Sequence, residues 1–164
     1  MCHACRAALG GAVYAPADGV WKLETAGAAA IYAGGWGGPP AGMELRGCGE
    51  RTYCFVVEDG FTAQGNTDAS LRVYGPVGSS VRGLLTIPVE SDDPDGSTKL
   101  SAAVRFVPRA SRLPFFDAEV MTVRQKCANG HCSIMREETV YRYRDGEYAE
   151  LQGSVIRPAK AKEK

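Results

Sequence analysis

Six cysteines and two histidines carry most of the chemistry this 164-residue sequence advertises. The cysteines fall in near pairs, Cys2/Cys5, Cys48/Cys54 and Cys127/Cys132. An even number in close pairs fits a disulfide framework made in an oxidising compartment, and proximal pairing is the simplest of the ~15 possible connectivities. Bridges that close such short loops remove little chain entropy, so their expected role is to stiffen loops. The same residues admit a second chemistry. Cys2-x-x-Cys5 and Cys127 with Cys132, flanked by His3 and His131, offer thiolates at a spacing compatible with tetrahedral zinc. That alternative implies a cytosolic, zinc-stapled β-domain acting as an interaction module or enzyme subunit, and it leaves Cys48 and Cys54 to be explained separately.

Catalytic patterns are sparse. Cys2-His3-Ala4-Cys5 has redox spacing but no βαβ context around it. Neither histidine lies in HExxH, and there is no GxSxG elbow or P-loop. Glu137-Glu138 reads as part of a solvated strand face. Asp92, Asp93 and Asp95 lack the ligand spacing of an EF-hand. The expectation is a protein that is not an enzyme, with no cofactor and no metal.

Lys plus Arg equals Asp plus Glu, 19 each, for a net charge of zero. Displacing counterions from a phosphate backbone needs a basic face, so nucleic acid is not an expected partner. An apolar fraction of 45% with 23% charge is that of a globular chain. The length suits one domain. No apolar run reaches the ~18 residues of a membrane helix. Met1 to Val13 lacks the apolar core of a signal peptide.

The elements that must position any site read as strands. Residues 1–18 are expected to be a poorly ordered lead-in with one short strand near Val13-Tyr14, residues 19–157 a single β domain, and residues 158–164 a basic tail. Gly19 to Thr25 alternates so that Trp21 and Leu23 point inward. Ala26 to Ala33 is ambiguous between helix and strand. Trp36, in the loop Gly34 to Gly42, is expected to plug the core edge. Met43 to Gly47 and Thr52 to Glu58 are strands around the Cys48–Cys54 loop. Phe61 to Ser70 reads as a loop and Leu71 to Tyr74 as a strand stopped by Gly75-Pro76. Ser80 to Val89 and Lys99 to Val107 flank Asp93-Pro94-Asp95-Gly96, whose turn chemistry predicts a hairpin with a polar tip. Pro88 within the first of these points to an edge position or a break. Pro114 is expected to start the next strand.

Asp117 to Leu151 reads as a three-stranded meander. Asp145-Gly146 is a two-residue turn, which pairs Arg144 with Glu147 and Tyr143 with Tyr148, and places Tyr141, Tyr143 and Tyr148 on the core face. Ala128-Asn129-Gly130-His131 is expected to be a four-residue loop with Cys127 facing Cys132 across it. Together these elements predict an all-β antiparallel sandwich or barrel-like sheet of eight to ten short strands, ending in that meander. A small-ligand barrel is a further reading of the same pattern.

The disulfide-clamped loop is the candidate site. Asn129, Gly130 and His131 would be held in a fixed shape, which lowers the entropy lost on binding. CANGHC resembles, in style, the cysteine-bracketed, histidine-bearing loop that some periplasmic lysozyme inhibitors insert into a glycosidase cleft, though it differs in the histidine position and lacks a proline. The sequence thus leads to the expectation of a periplasmic or secreted binding protein with a protein partner. It would be an inhibitor of a cell-wall hydrolase or an immunity protein against a toxin. Truncating Asn129 or His131 to alanine is expected to weaken binding and leave stability nearly unchanged.

Overall fold

The computed structural model describes residues 5–35, 38–40, 42–63, 66–89, 98–108, 113–151 and 155–158. Among them, eleven strands and no helix form three antiparallel sheets, the all-β antiparallel class that the turn spacing predicts, with one strand more than the eight to ten expected. Strands β1 (Ala7–Ala17) and β2 (Val20–Ala33) make a hairpin. A four-stranded meander follows: β3 (Gly42–Gly47), β4 (Tyr53–Ala63), β5 (Asn66–Val77) and β6 (Ser80–Pro88). The last sheet has β7 (Thr98–Val107), β8 (Asp117–Ala128), β9 (His131–Arg144) and β10 (Glu147–Glu150) in spatial order 10-9-8-7. β11 (Val155–Pro158) also pairs with β9.

The β3–β6 sheet is the middle layer. Pleat alternation sends Val56, Leu71, Val73, Leu84, Leu85 and Ile87 to one face, against Val104, Ala118, Val120, Tyr143 and Tyr148 of the last sheet. Phe115 and the Cys48–Cys54 bridge complete that core. Their neighbours Val57, Tyr74 and Val81 point the other way and are covered by Leu9, Ile31 and Ala33 of the β1–β2 hairpin. Fully burying a valine on either face contributes on the order of 2 kcal/mol. A register shift between Val73 and Tyr74 leaves Leu84 without a rung partner, so Leu84 and Leu85 both reach the same core.

Several expectations are revised. The strand foreseen near Val13-Tyr14 runs from Ala7 to Ala17, and Ala26 to Ala33 is strand. Trp21 and Leu23 point outward, Trp21 being 72% exposed. Strict alternation puts them on the face of Thr25, which is buried. A bulge leaves Glu24 out of the ladder between Val13↔Thr25 and Tyr14↔Leu23, and this inverts the parity. Much of Phe61 to Ser70, read as loop, is ladder out to Ala63↔Asn66. Gly75-Pro76 does not stop β5. A Cβ on Gly75 would lie 2.8 Å from Leu84 and 3.0 Å from the Cys54 sulfur, so glycine lets the strand pass close to the bridge. Pro88 ends an edge strand as expected. The flanking strands β6 and β7 do not pair. They lie in opposite sheets, and their apolar residues, Leu85 and Ile87 with Val104, share the core between them. Pro114 precedes β8 instead of starting it. Trp36, the Asp93-Pro94-Asp95-Gly96 turn and residues 159–164 lie outside the described residues.

Two buried carboxylates fasten strands, Asp59 between layers and Asp117 within the last sheet. Asp59 on β4, with its side chain 1% exposed, faces Arg6 at 3.2 Å and Arg72 at 3.3 Å. Its Oδ1 accepts the Gly34 N–H at 2.7 Å. One side chain thus joins the outer hairpin to β4 and β5. Asp117 accepts a two-pronged contact from Arg142, at 3.1 and 3.0 Å, the geometry that suits a guanidinium best. The Arg46 guanidinium on β3 donates to the Val104 carbonyl of β7 at 2.7 Å and pins one edge of the sandwich.

Candidate functional site: a projecting, disulfide-clamped hairpin

The hairpin of β8 and β9 is anchored at its base and flanked along its edges, by β7 as far as Thr98↔Lys126 and by β11 as far as Pro158↔Met135. Among the described residues, only its last rungs and its turn extend past both neighbours. Its base is built from buried residues: Asp117, Ala118 and Val120 on β8, Thr139 and Tyr143 on β9. The Phe116 N–H donates to the Cys48 carbonyl at 2.7 Å, so the buried Cys48–Cys54 loop holds the chain entering β8. Across the sheet the Tyr148 hydroxyl donates to the Phe116 carbonyl at 2.9 Å. Burial, with the Asp117 charge and Tyr143 adding to it, pushes that hydroxyl well above its ordinary pKa. The predicted tyrosine register is met: Glu147↔Arg144, Tyr148↔Tyr143, Ala149↔Arg142 and Glu150↔Tyr141. Tyr143 and Tyr148 are buried, and Tyr141 packs against the same core.

Toward the other end the ladder continues without interruption to Ala128↔His131. Side chains become exposed along it, and Ala128, Asn129, Gly130 and His131 are all exposed. The turn is shorter than the expected four-residue loop. Ala128 and His131 are paired strand residues, and only Asn129 (φ 51°) and Gly130 (φ 77°) form the turn. Positive φ at both central positions is a type I′ turn, whose twist matches the strands and which Asn-Gly favours. Cys127 and Cys132 occupy the next rung. Their Cα atoms are 4.0 Å apart, the close approach of a non-hydrogen-bonded antiparallel pair, and their sulfurs are bonded. The candidate site is therefore a stiff finger tip more than a loop. It presents the Asn129 and His131 side chains over a covalent rung.

The finger has two faces. The Gln125 amide donates to the Cys127 sulfur at 3.4 Å on the outer one, where Gln125 pairs with Ile134. On the inner one, which continues the core face of the sheet, Leu100, Thr122, Arg124, Met135 and Glu137 line a shallow cavity of about 210 Å³. Ile134 and Met135 are exposed apolar residues on opposite faces. Sequence reasoning missed this cavity, because it exists only once the registers of β7, β8 and β9 are combined.

Cys48 and Cys54 are bonded to each other, as expected, and lie in the sandwich core, away from the exposed tip. Cys5 is also disulfide-bonded, and Cys2 lies outside the described residues. Sulfurs bonded in this way are not thiolate ligands for zinc. Among the described residues no three His, Cys, Asp or Glu side chains converge as a metal cluster, and no helix is long and apolar enough to cross a membrane. No protein-family model, curated protein or solved structure matches the chain.

Proposed function

We propose that this chain is a non-catalytic binding protein of an oxidising compartment, periplasmic or secreted, that inserts the β8–β9 finger into a cleft of a protein partner. The partner class is a cell-wall hydrolase, which the protein would inhibit, or a secreted toxin, against which it would give immunity. The observation that carries this reading is the tip itself: Asn129, Gly130 and His131 are exposed on a tight turn stiffened by the Cys127–Cys132 bond one rung behind it. A prestiffened element loses less conformational entropy on docking than a free loop. The disulfides fit the compartment.

The test is lysis of a cell-wall suspension by a panel of lysozymes, with and without the protein. The reading expects at least one lysozyme to be inhibited by the parent. His131→Ala should weaken that inhibition at unchanged thermal stability. Inhibition that survives both His131→Ala and Asn129→Gly would place the contact elsewhere. Absence of inhibition across the panel, with no protection against secreted toxins in a growth assay, would remove the proposal.

A further inference from the structure

The two described bridges sit in opposite environments. Cys48 and Cys54 are each 0% exposed, enclosed in the core beside Gly75, Leu84 and Phe115. Cys127–Cys132 lies on the projecting finger, with Cys132 exposed and Cys127 half-buried. Thiol–disulfide exchange needs a thiolate to reach one sulfur while the other departs as a thiolate. Access therefore makes the Cys132 sulfur the one attacked. The departing sulfur is then Cys127, and this sulfur accepts the Gln125 amide hydrogen bond. A donor aimed at a sulfur favours its anionic form and eases its departure. The neighbouring turn does not depend on the bond, since Asn129 and Gly130 already have the backbone conformation that a two-residue hairpin turn requires. Opening the bond would loosen the tip without unmaking the hairpin.

We propose that Cys127–Cys132 is a thiol–disulfide exchange site, opened by a small-molecule thiol or a protein dithiol attacking Cys132, and that its state sets the stiffness of the finger tip. The effect on partner binding rests on the reading of the tip given above. In the first step a thiolate RS⁻ bonds to the Cys132 sulfur, the Cys127–Cys132 bond breaks, and the electron pair leaves on Cys127. In the second, another RS⁻ attacks the R sulfur of the mixed disulfide. This forms RSSR and frees the Cys132 thiolate, and both cysteines take protons from water. Two thiols are oxidised to one disulfide, and the protein bridge is reduced by two electrons. With a protein dithiol, both attacking sulfurs belong to one molecule.

The experiment incubates the folded, oxidised full chain with reduced glutathione in one arm and a thioredoxin-type dithiol protein in the other. Samples are quenched by alkylation and mapped by peptide mass spectrometry. The expected result is opening of Cys127–Cys132 about tenfold or more faster than Cys48–Cys54, with the glutathione adduct trapped on Cys132. Success in one arm only identifies the kind of thiol. Gln125→Leu should slow this opening several-fold while the exchange rate at Cys5, also exposed and bonded, stays the same. Equal rates at the two bridges, an adduct on Cys127, or an unaltered rate in Gln125→Leu would overturn the assignment. Lysozyme inhibition measured before and after selective opening separates the two proposals. Selective exchange in a protein whose tip variants inhibit as well as the parent would keep the exchange site and remove the tip as the binding surface.

Discussion

Single residues at the turn and at the buried charges set measurable limits. Asn129 has φ 51°, so alanine there carries a steric cost that asparagine and glycine avoid. Asn129→Ala should lose about 1 kcal/mol in urea melts, whereas Asn129→Gly should be near neutral. This revises the expectation that alanine is silent at Asn129, and it makes glycine the proper probe of binding. Asp59→Ala leaves two arginines and the Gly34 N–H facing an apolar side chain. It should destabilise by about 3 kcal/mol, and a change under 1 kcal/mol would show that Asp59 does not hold the layers. Tyr148 adds a pH dependence. Burial raises its folded pKa above the ordinary 10.0, so the unfolded chain ionises first as pH rises. The contribution is therefore complete below pH about 10 and is lost progressively above it. Tyr148→Phe should lose about 1 kcal/mol at neutral pH with the hydrogen bond to Phe116 and decline less steeply in alkali. Denaturant titrations from pH 7 to 11 measure both.

At the scale of elements, the two bridges make a controlled comparison. They close loops of nearly equal separation, 6 and 5 residues, so chain entropy gives each about 2 kcal/mol. Only Cys48–Cys54 is also packed in the core and holds the entry to β8. Cys127→Ser with Cys132→Ser should cost about 2 kcal/mol or less, and Cys48→Ala with Cys54→Ala distinctly more, by calorimetry. Elements were legible wherever the sequence supplied a fixed origin for counting. Asp145-Gly146 did so, and the whole tyrosine register followed from it. Asn129-Gly130 offered the same origin, but the bracketing cysteines suggested a wider loop than the chain makes. Trp21 was not legible, because a single unpaired Glu24 inverts the parity of every residue before it. The parting of β6 from β7 was not legible either. Turn chemistry says where a chain reverses, and packing decides whether the two strands then pair or face each other.

For the molecule as a whole, the described residues pack the middle sheet on both faces, whereas those at the tip of the β8–β9 finger are exposed. Amide hydrogen exchange should be slowest in β4 and β5, around Val56, Val57 and Val73, and fastest near Asn129 and Gly130. Uniform protection along β8 and β9 would mean that the finger is packed in solution. The order of the strands has its own consequence. Each sheet is drawn from one continuous run, β1–β2, then β3–β6, then β7–β11. Among the described residues, all pairs join sequence neighbours except β11 with β9. A chain leaving the ribosome can finish each sheet before the next begins, with no early strand waiting for a late one. Such short-range pairing favours fast folding for a β protein, and the finger, drawn from the last run, would be among the last parts to form.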